Sequence, residues 1–485
     1  MFKIIFRLLS FLIIIIITVL LYLSLFGIKT NKFNQLIKSQ IANHDNRVDV
    51  VLDEVFIKLN FKELSLSISS QNLNIFILKE KQKIANLNLL ISLDSVIKKD
   101  NKVKKIIINS NENEINSLLK FIKAYRLNVP ILYLENSISK GNIIYDVVIN
   151  FDKENLSKIE VNGKIINADL NILGKEQFKN INFDFNYNNK NLEITDLKLK
   201  HKNIIFNSKT IFANFNESII NIKGDIRNKI NINLISSLIN FNLKNYISEK
   251  IFLECNSKFD LDLTRKFKLK NYMLKSKIDF DNLNINLEDI EIKNYISDYD
   301  NKIKLQNGKL SLEINNKNKI ELKIESKYKL ANKNTLKDIS LNYKKLNSVE
   351  KYKLNIDLTN YELILNEINF QNKLDEGLYL NINATKNNKY FEIDNFKLFN
   401  NKNLFSIKNV KFDKNFKVRD FASIDAEFYN RKNFKNDISI NKRNNLIKVN
   451  SNNFDISLNI EENLKNSRKN NFFDIFENLN STLKI

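Results

Sequence analysis

Residues 258–287 read KFDLDLTRKFKLKNYMLKSKIDFDNLNINL, and the class of fold follows from how apolar residues fall in this stretch. Phe259, Leu261 and Leu263 alternate with Asp260 and Asp262, Ile278 and Phe280 with Asp279 and Asp281, and Ile285 and Leu287 with Asn284 and Asn286. A period of two sends successive side chains to opposite faces of an extended strand, so each segment has one apolar and one wet face.

The same period extends in both directions. Ile303 and Leu305 alternate with Lys, and Leu310, Leu312 and Ile314 with Ser and Glu. Ile320, Leu322 and Ile324 repeat it, as do Leu354, Ile356 and Leu358, then Phe454, Ile456, Leu458 and Ile460. The segments recur at roughly ten to fifteen residues, separated by polar turns such as Asn188-Asn189-Lys190-Asn191. Asn tolerates the left-handed backbone of tight turns, so it substitutes for Gly, of which the chain has seven. The pattern predicts a mostly β fold, a long antiparallel meander with one wet face. A sheet of roughly thirty such strands must hide its apolar face, either in a series of sandwiches or by curling into a groove.

Four segments break the period. Phe33, Leu36, Ile37 and Ile41 fall at helical spacing, as do Ile115, Leu118, Leu119 and Ile122, with Asn113 as an N-cap candidate. Leu234, Ile235, Leu238 and Phe241 make a third short amphipathic helix, and Phe472, Ile475, Phe476, Leu479 and Leu483 a fourth. The first three are expected to cover open ends of the sheet, and for the fourth docking on a membrane or partner stays equally open.

Composition excludes most catalytic plans. The 485 residues hold two His, one Cys and no Trp, so His44, His201 and Cys255 form no zinc-ligand spacing and no intrachain disulfide exists. The carboxylate pairs Asp260/Asp262 and Asp279/Asp281 read as solvated strand faces rather than a glycosidase pair. No nucleophile-elbow, P-loop or dinucleotide-binding glycine pattern occurs. The chain is expected to be no enzyme, with no catalytic residue, no metal and no cofactor. Its net charge of +22 comes from scattered Lys without Arg-rich runs, so nucleic acid is not the expected partner.

Residues 8–28, LLSFLIIIIITVLLYLSLFGI, carry no charge. As a helix they rise roughly 31 Å, the thickness of a hydrocarbon core. Lys3 and Arg7 precede them and Lys29 and Lys32 follow, so flanking charge sets orientation weakly. The reading is an uncleaved transmembrane anchor in preference to a signal peptide.

The order of these features resembles the AsmA-like superfamily of bacterial envelope proteins, which takes in relatives of TamB and the YhdP-type central domain. The resemblance is carried by the anchor, the helix FNQLIKSQI, the strands VDVVLDEVFIKLN and LSLSISSQNLNIFIL, and IANLNLLISLDSVIKKDNKVKKIIIN. Helical SLLKFI and the repeats GKIINADLNILGKEQFKNINFDFNYNNKNLEITDLKLK and 258–287 continue it. It implies a single-pass protein of the bacterial inner membrane whose periplasmic β-groove moves phospholipid toward the outer membrane. Its partners would be phospholipid acyl chains, the inner membrane and outer-membrane or periplasmic proteins. The expected division is a cytoplasmic 1–7, a transmembrane 8–28, a juxtamembrane helix and linker 29–48, a β-groove 49–465 and an amphipathic helix 466–485. Groove-lining candidates are Phe259, Leu261, Leu263, Ile278, Phe280, Ile285, Leu287, Leu310, Leu312, Ile314, Leu354, Ile356 and Leu358. Two other readings stay open: an outer-membrane protein assembly factor working through strand edges, and a structural or adhesive sandwich array.

Overall fold

The computed structural model describes residues 2–484 apart from 32–33, 62, 99–101, 153–154, 173–175, 203, 217, 232–246, 248–251, 267, 287–290, 297–298, 300, 331–334, 389, 414–416 and 456–481. The chain divides into two compact units, Met1–Asn228 with Leu261–Lys270, and Lys229–Asp260 with Asn271–Ile485.

The first unit contains the helices α1 (Phe2–Leu25), α2 (Asn34–His44), α3 (Leu93–Lys98), α4 (Ile115–Tyr125) and α5 (Val129–Ser137). Its strands begin with β1 (Ile28–Thr30), β2 (Val48–Val51), β3 (Val55–Asn60), β4 (Ser65–Ile77), β5 (Glu80–Ser92), β6 (Val103–Ser110) and β7 (Asn113–Glu114). They continue with β8 (Ile138–Asp152), β9 (Asn155–Ile172), β10 (Glu176–Asn188), β11 (Asn191–His201), β12 (Ile204–Phe215) and β13 (Ile219–Asn231). Neighbours pair antiparallel from β3 through β6, then β8 through β13, with β6 against β8. The short strands fill in beside them: β1 on β3, β2 on β4 and β7 on β8.

The second unit holds β14 (Phe252–Thr264), β15 (Leu269–Asn286), β16 (Lys302–Asn315), β17 (Lys319–Leu330), β18 (Lys337–Leu346) and β19 (Val349–Asp357). Residues 229–231 of β13 count with the second unit, and residues 261–264 of β14 and 269–270 of β15 with the first. Next come β20 (Ile364–Leu365), β21 (Phe370–Gln371), β22 (Tyr379–Lys386), β23 (Phe391–Phe399) and β24 (Leu404–Phe412). The last are β25 (Val418–Asp420), β26 (Ser423–Tyr429), β27 (Lys435–Arg443), β28 (Leu446–Asn453) and β29 (Thr482–Lys484). From β15 to β19 each strand pairs with the next, and β19 then pairs with β22, so residues 358–378 form an insert with its own β20–β21 hairpin. The antiparallel order resumes through β23, β24, β26, β27 and β28.

The expected mostly β, antiparallel organisation is present in both units, and the turn chemistry is as anticipated. Asn189 and Lys190 take φ of 43° and 84° between the paired Asn188 and Asn191, a two-residue turn with both central residues left-handed. Asn also works inside strands, which the sequence reading did not foresee. Asn180 (φ 53°) lies in the register shift between Lys179 and Asn182, and Asn307 (φ 51°) in the shift between Gln306 and Lys309. A bulge bends its strand and raises the local twist, which a long sheet requires.

Two of the few glycines sit under aromatic rings. Phe280 pairs with Gly308 and Phe185 with Gly163, and in each pair the ring fills the space a Cβ would take. Gly308→Val is therefore expected to destabilise the second unit by about 1–3 kcal/mol through overpacking. Adding Phe280→Leu is expected to recover part of that loss in equilibrium urea unfolding. Strictly additive losses would mean the two residues do not share the site.

Several expectations need correction. The helix expected at 8–28 ends at Leu25: Gly27 takes φ +70° and donates to Tyr22 O at 3.2 Å, and Ile28 already opens β1 against β3. Gly supplies the left-handed residue that terminates a helix at no steric cost. The described side chains of α1 are those at 6, 7 and 9–25, and among the described residues no helix is long and apolar enough to cross a membrane. Asn113 does not cap α4; it lies in β7, and its amide bonds Lys83 N at 3.3 Å and Lys83 O at 3.1 Å. The N-cap position belongs to Glu114, whose side chain makes no capping bond.

α4 covers a sheet face rather than a sheet end, with Ile115 and Leu119 buried together with Ile143, Ala168 and Ile181. A second helix, α5, was not anticipated; Pro130 stands in its first turn and Asn128 accepts from Ile131 N at 3.0 Å. Pro and an N-cap Asn were its sequence signals. α2 matches the helix expected from Leu36, Ile37 and Ile41, although Phe33 lies outside the described residues. The third expected helix, at 234–241, also lies outside them. At the C-terminus Leu483 belongs to a strand, since β29 pairs parallel with β28; the rest of the helix expected there, from Phe472 to Leu479, is outside the described residues.

Candidate functional site: the apolar sheet faces

In the second unit the strand registers bring one aliphatic or aromatic residue per strand into line. Ile278, Leu310, Ile324, Leu341 and Leu354 are successive cross-strand partners from β15 to β19. Ile382, Phe396, Ile407, Ile424, Ile440 and Val449 continue the same row to β28. No polar residue interrupts it. Alternation puts Lys309, Glu325, Ser340, Asn355 and Asn381 on the opposite face in a parallel row of their own.

Coverage along this face is uneven. Ile278 and Leu310 are buried, whereas Leu341, Leu354 and Ile382 are only half-buried. The insert at 358–378 packs on part of this face. Tyr361, Phe370 and Leu378 are fully buried (0% exposed) and share one core with Leu305, Tyr328, Leu398, Phe405 and Phe428. Tyr361 stacks on Tyr328 at 5.7 Å between centroids, and its hydroxyl accepts from Leu330 N at 2.9 Å. Asn372 fastens the insert internally, accepting from Leu363 N at 2.6 Å and donating to Tyr361 O at 2.9 Å. Arg431 holds its far end through Asn369 O and Asn366 Oδ1, both at 2.9 Å. Ile364 N bonds Tyr295 O at 2.8 Å. The insert thus closes one side of the face and leaves the Leu341–Leu354–Ile382 row partly open.

The sequence-predicted residues distribute as follows. Ile278, Phe280, Leu310, Leu312 and Leu358 enter the closed core, and Ile285, Ile314 and Ile356 pack against it half-buried. Leu354 lies in the open row. Leu358 is beyond the end of β19 and belongs to the insert. Phe259, Leu261 and Leu263 are half-buried along β14, and Leu287 is outside the described residues. Both β15 and β16 reverse their in–out alternation between the Phe280–Gly308 and Leu283–Leu305 pairs; the sequence reading took in Ile285 and Leu287 beyond the reversal but missed buried Leu283. Leu341, Ile382, Phe396 and Ile407 were missed as well, although the alternation in 339–343 and 380–384 carried the signal of the first two.

The first unit has a comparable face. Tyr145, Gly163, Phe185, Ile194 and Ile211 are cross-strand partners from β8 to β12, flanked by Val147, Val161, Tyr187, Leu192 and Ala213. Near α4 this face is closed by Ile115 and Leu119, while Phe185, Ile194 and Ile211 remain half-buried.

Among the described residues the polar faces carry ion pairs. Burial would raise the Glu313 and Glu321 carboxyls, but Lys319 with Lys275 at the first and Lys344 with Lys319 at the second hold both below the ordinary range. Asp279 and Asp281 are exposed, and Asp262 accepts from Asn221 at 2.8 Å. His201 stacks on Phe178 at 4.7 Å and lies 3.1 Å from Glu176, a local packing role. Cys255 is buried, its Sγ 3.3 Å from Ser257 Oγ. Among the described residues no group of three His, Cys, Asp or Glu side chains is placed to hold a metal ion. Compared with known proteins, the chain matches no protein-family profile, no curated protein and no solved structure.

Proposed function

We propose that this chain holds phospholipid acyl chains against its apolar sheet faces, tethered to a bacterial inner membrane by α1, and passes them across the periplasm toward the outer membrane. The observation that carries the reading is the uninterrupted apolar row from Ile278 to Val449 with its half-buried middle. A one-residue-wide aliphatic track with polar residues on the other face suits a passive hold on acyl chains, which needs hydrophobic contact and no covalent chemistry. The resemblance to AsmA-like envelope proteins points the same way.

For the tether, the supporting feature is exposure. Ile13, Ile14, Ile15, Ile16 and Ile17 are each 43–59% exposed, and Phe11 (65%) and Leu21 (51%) on the same helix are exposed as well. A helix that is apolar all round is unfavourable in water and favourable in lipid. Residues 9–25 alone extend about 26 Å, so the bilayer accommodates them by thinning locally or by drawing in flanking residues.

A photo-crosslinking residue placed at Leu341, Leu354 or Ile382 in cells is expected to capture phospholipid. The same residue at the outward neighbours Asn342, Asn355 and Asn383 is expected to capture none. Equal capture on the two faces, or capture on neither, would refute the reading. The competing assembly-factor reading needs open strand edges, and the edge of β28 is occupied over Leu446–Lys448 by β29.

A further inference from the structure

We infer that the end of the second unit's apolar face, at β18, β19 and β22, is a subsite for the ester and phosphate groups of a glycerophospholipid. This rests on the acyl-chain reading above and adds to it a polarity, an orientation and a headgroup class.

Three successive rows on one face of these strands support it. The aliphatic row Leu341–Leu354–Ile382 is followed by Tyr343–Tyr352–Ala384 and then by Lys345–Glu350–Lys386, all in unbroken register between the three strands. Each row is two residues along, about 7 Å. Over about 14 Å the surface passes from aliphatic to phenolic to charged, the order in which a glycerophospholipid passes from acyl chain to ester to phosphate.

The Tyr343 hydroxyl is the second, independent observation. Tyr343 is 4% exposed and its hydroxyl has no hydrogen-bond partner, although the neighbouring Tyr352 hydroxyl donates to Glu350 at 2.6 Å. An unpartnered buried hydroxyl is unfavourable, and an acceptor brought by a ligand removes that cost. Burial first, and the Glu350 charge second, push this phenol up to about 12, so it stays a donor, matched to a neutral ester carbonyl. Beyond it Lys345 lies 3.4 Å from Glu350, and exposed Lys386 is the cross-strand partner of Glu350 on its other side. Two Lys and one Glu in this row leave a single positive charge, which suits a phosphodiester.

The test is a native mass-spectrometric titration of the full chain in detergent with dioleoyl phosphatidylglycerol and, separately, dioleoylglycerol. The two share chains and esters and differ in the phosphate. The wild-type chain is expected to prefer the phospholipid by about fivefold to tenfold. Lys345→Gln with Lys386→Gln is expected to bring the ratio close to one while leaving dioleoylglycerol binding unchanged. Tyr343→Phe is expected to weaken both lipids several-fold, keep their ratio, and leave the melting temperature unchanged or raised. An unchanged ratio in the double Lys variant, or unchanged affinities in Tyr343→Phe, overturns the subsite while leaving the acyl-chain reading standing. Displacement of the phospholipid by millimolar inorganic phosphate assigns the lysines to a free anion and also overturns it. Binding of neither lipid by the wild-type chain overturns the acyl-chain reading, and the subsite with it.

Discussion

Tyr361→Ala is expected to lower the unfolding free energy of the second unit by about 3–5 kcal/mol, the range for deleting a large buried aromatic side chain. The side chain is fully buried, stacks on Tyr328, and its hydroxyl bonds Leu330 N. Removing it leaves a cavity and strands a buried backbone N–H together. Tyr361→Phe separates these contributions: the ring and its stacking stay, the hydroxyl goes, and the loss is expected to fall to about 1–3 kcal/mol. Equilibrium urea unfolding of the full chain measures both. A Tyr361→Ala change worth less than about 1 kcal/mol would mean that the insert at 358–378 does not pack as a plug on the apolar face. The functional counterpart follows from position. Loosening the insert uncovers more of the face around Leu398 and Phe405, so crosslinkers there are expected to gain lipid capture as stability falls.

The second large effect is expected at α1. Ile14→Lys with Ile16→Lys puts two charges in the middle of the apolar helix, each costing about 2.5–3.5 kcal/mol in a bilayer centre. The wild-type chain is expected to stay with membranes through alkaline carbonate extraction and the double variant to be released. Because α1 meets the body through β3, the stability of the sheets in urea is expected to be unaffected. Retention of the double variant would assign membrane attachment to another part of the chain. Release of the wild type would remove α1 as the tether.

What was legible and what was not divides along the range of the interactions involved. Residues 258–287 alone determine strands, because the period of two is a local property of side-chain direction. Hairpin turns were legible for the same reason, as Asn189 can take its left-handed backbone whatever surrounds it. The stop of α1 was available in Gly27, and α5 in Asn128 and Pro130, although both signals were passed over.

The bulges were not legible. Asn307 and Asn180 sit in strands and turn residues share their composition, so only the partner strand distinguishes a bulge from a turn. Once the alternation slips at Asn307, assigning Leu283 and Ile285 to a face requires the register with Leu305 and Ile303. Asn113 looked like a cap because a cap is a local pattern; its partner turned out to be Lys83, thirty residues away.

The arrangement of the candidate site lies on this second side, although its members Ile278, Leu310 and Leu354 were legible from their alternation. The sequence by itself determined that the chain makes strands with an apolar face, that it is poor in His and Cys, and that residues 8–28 carry no charge. Which apolar residues line up, which of them the insert buries, and that Tyr343 is left without a partner beside Lys345 and Lys386 were decided only by the tertiary structure. The reason is physical: periodicity is set within a few residues, whereas register, burial and an unpaired hydroxyl are properties of strands brought together across tens of residues.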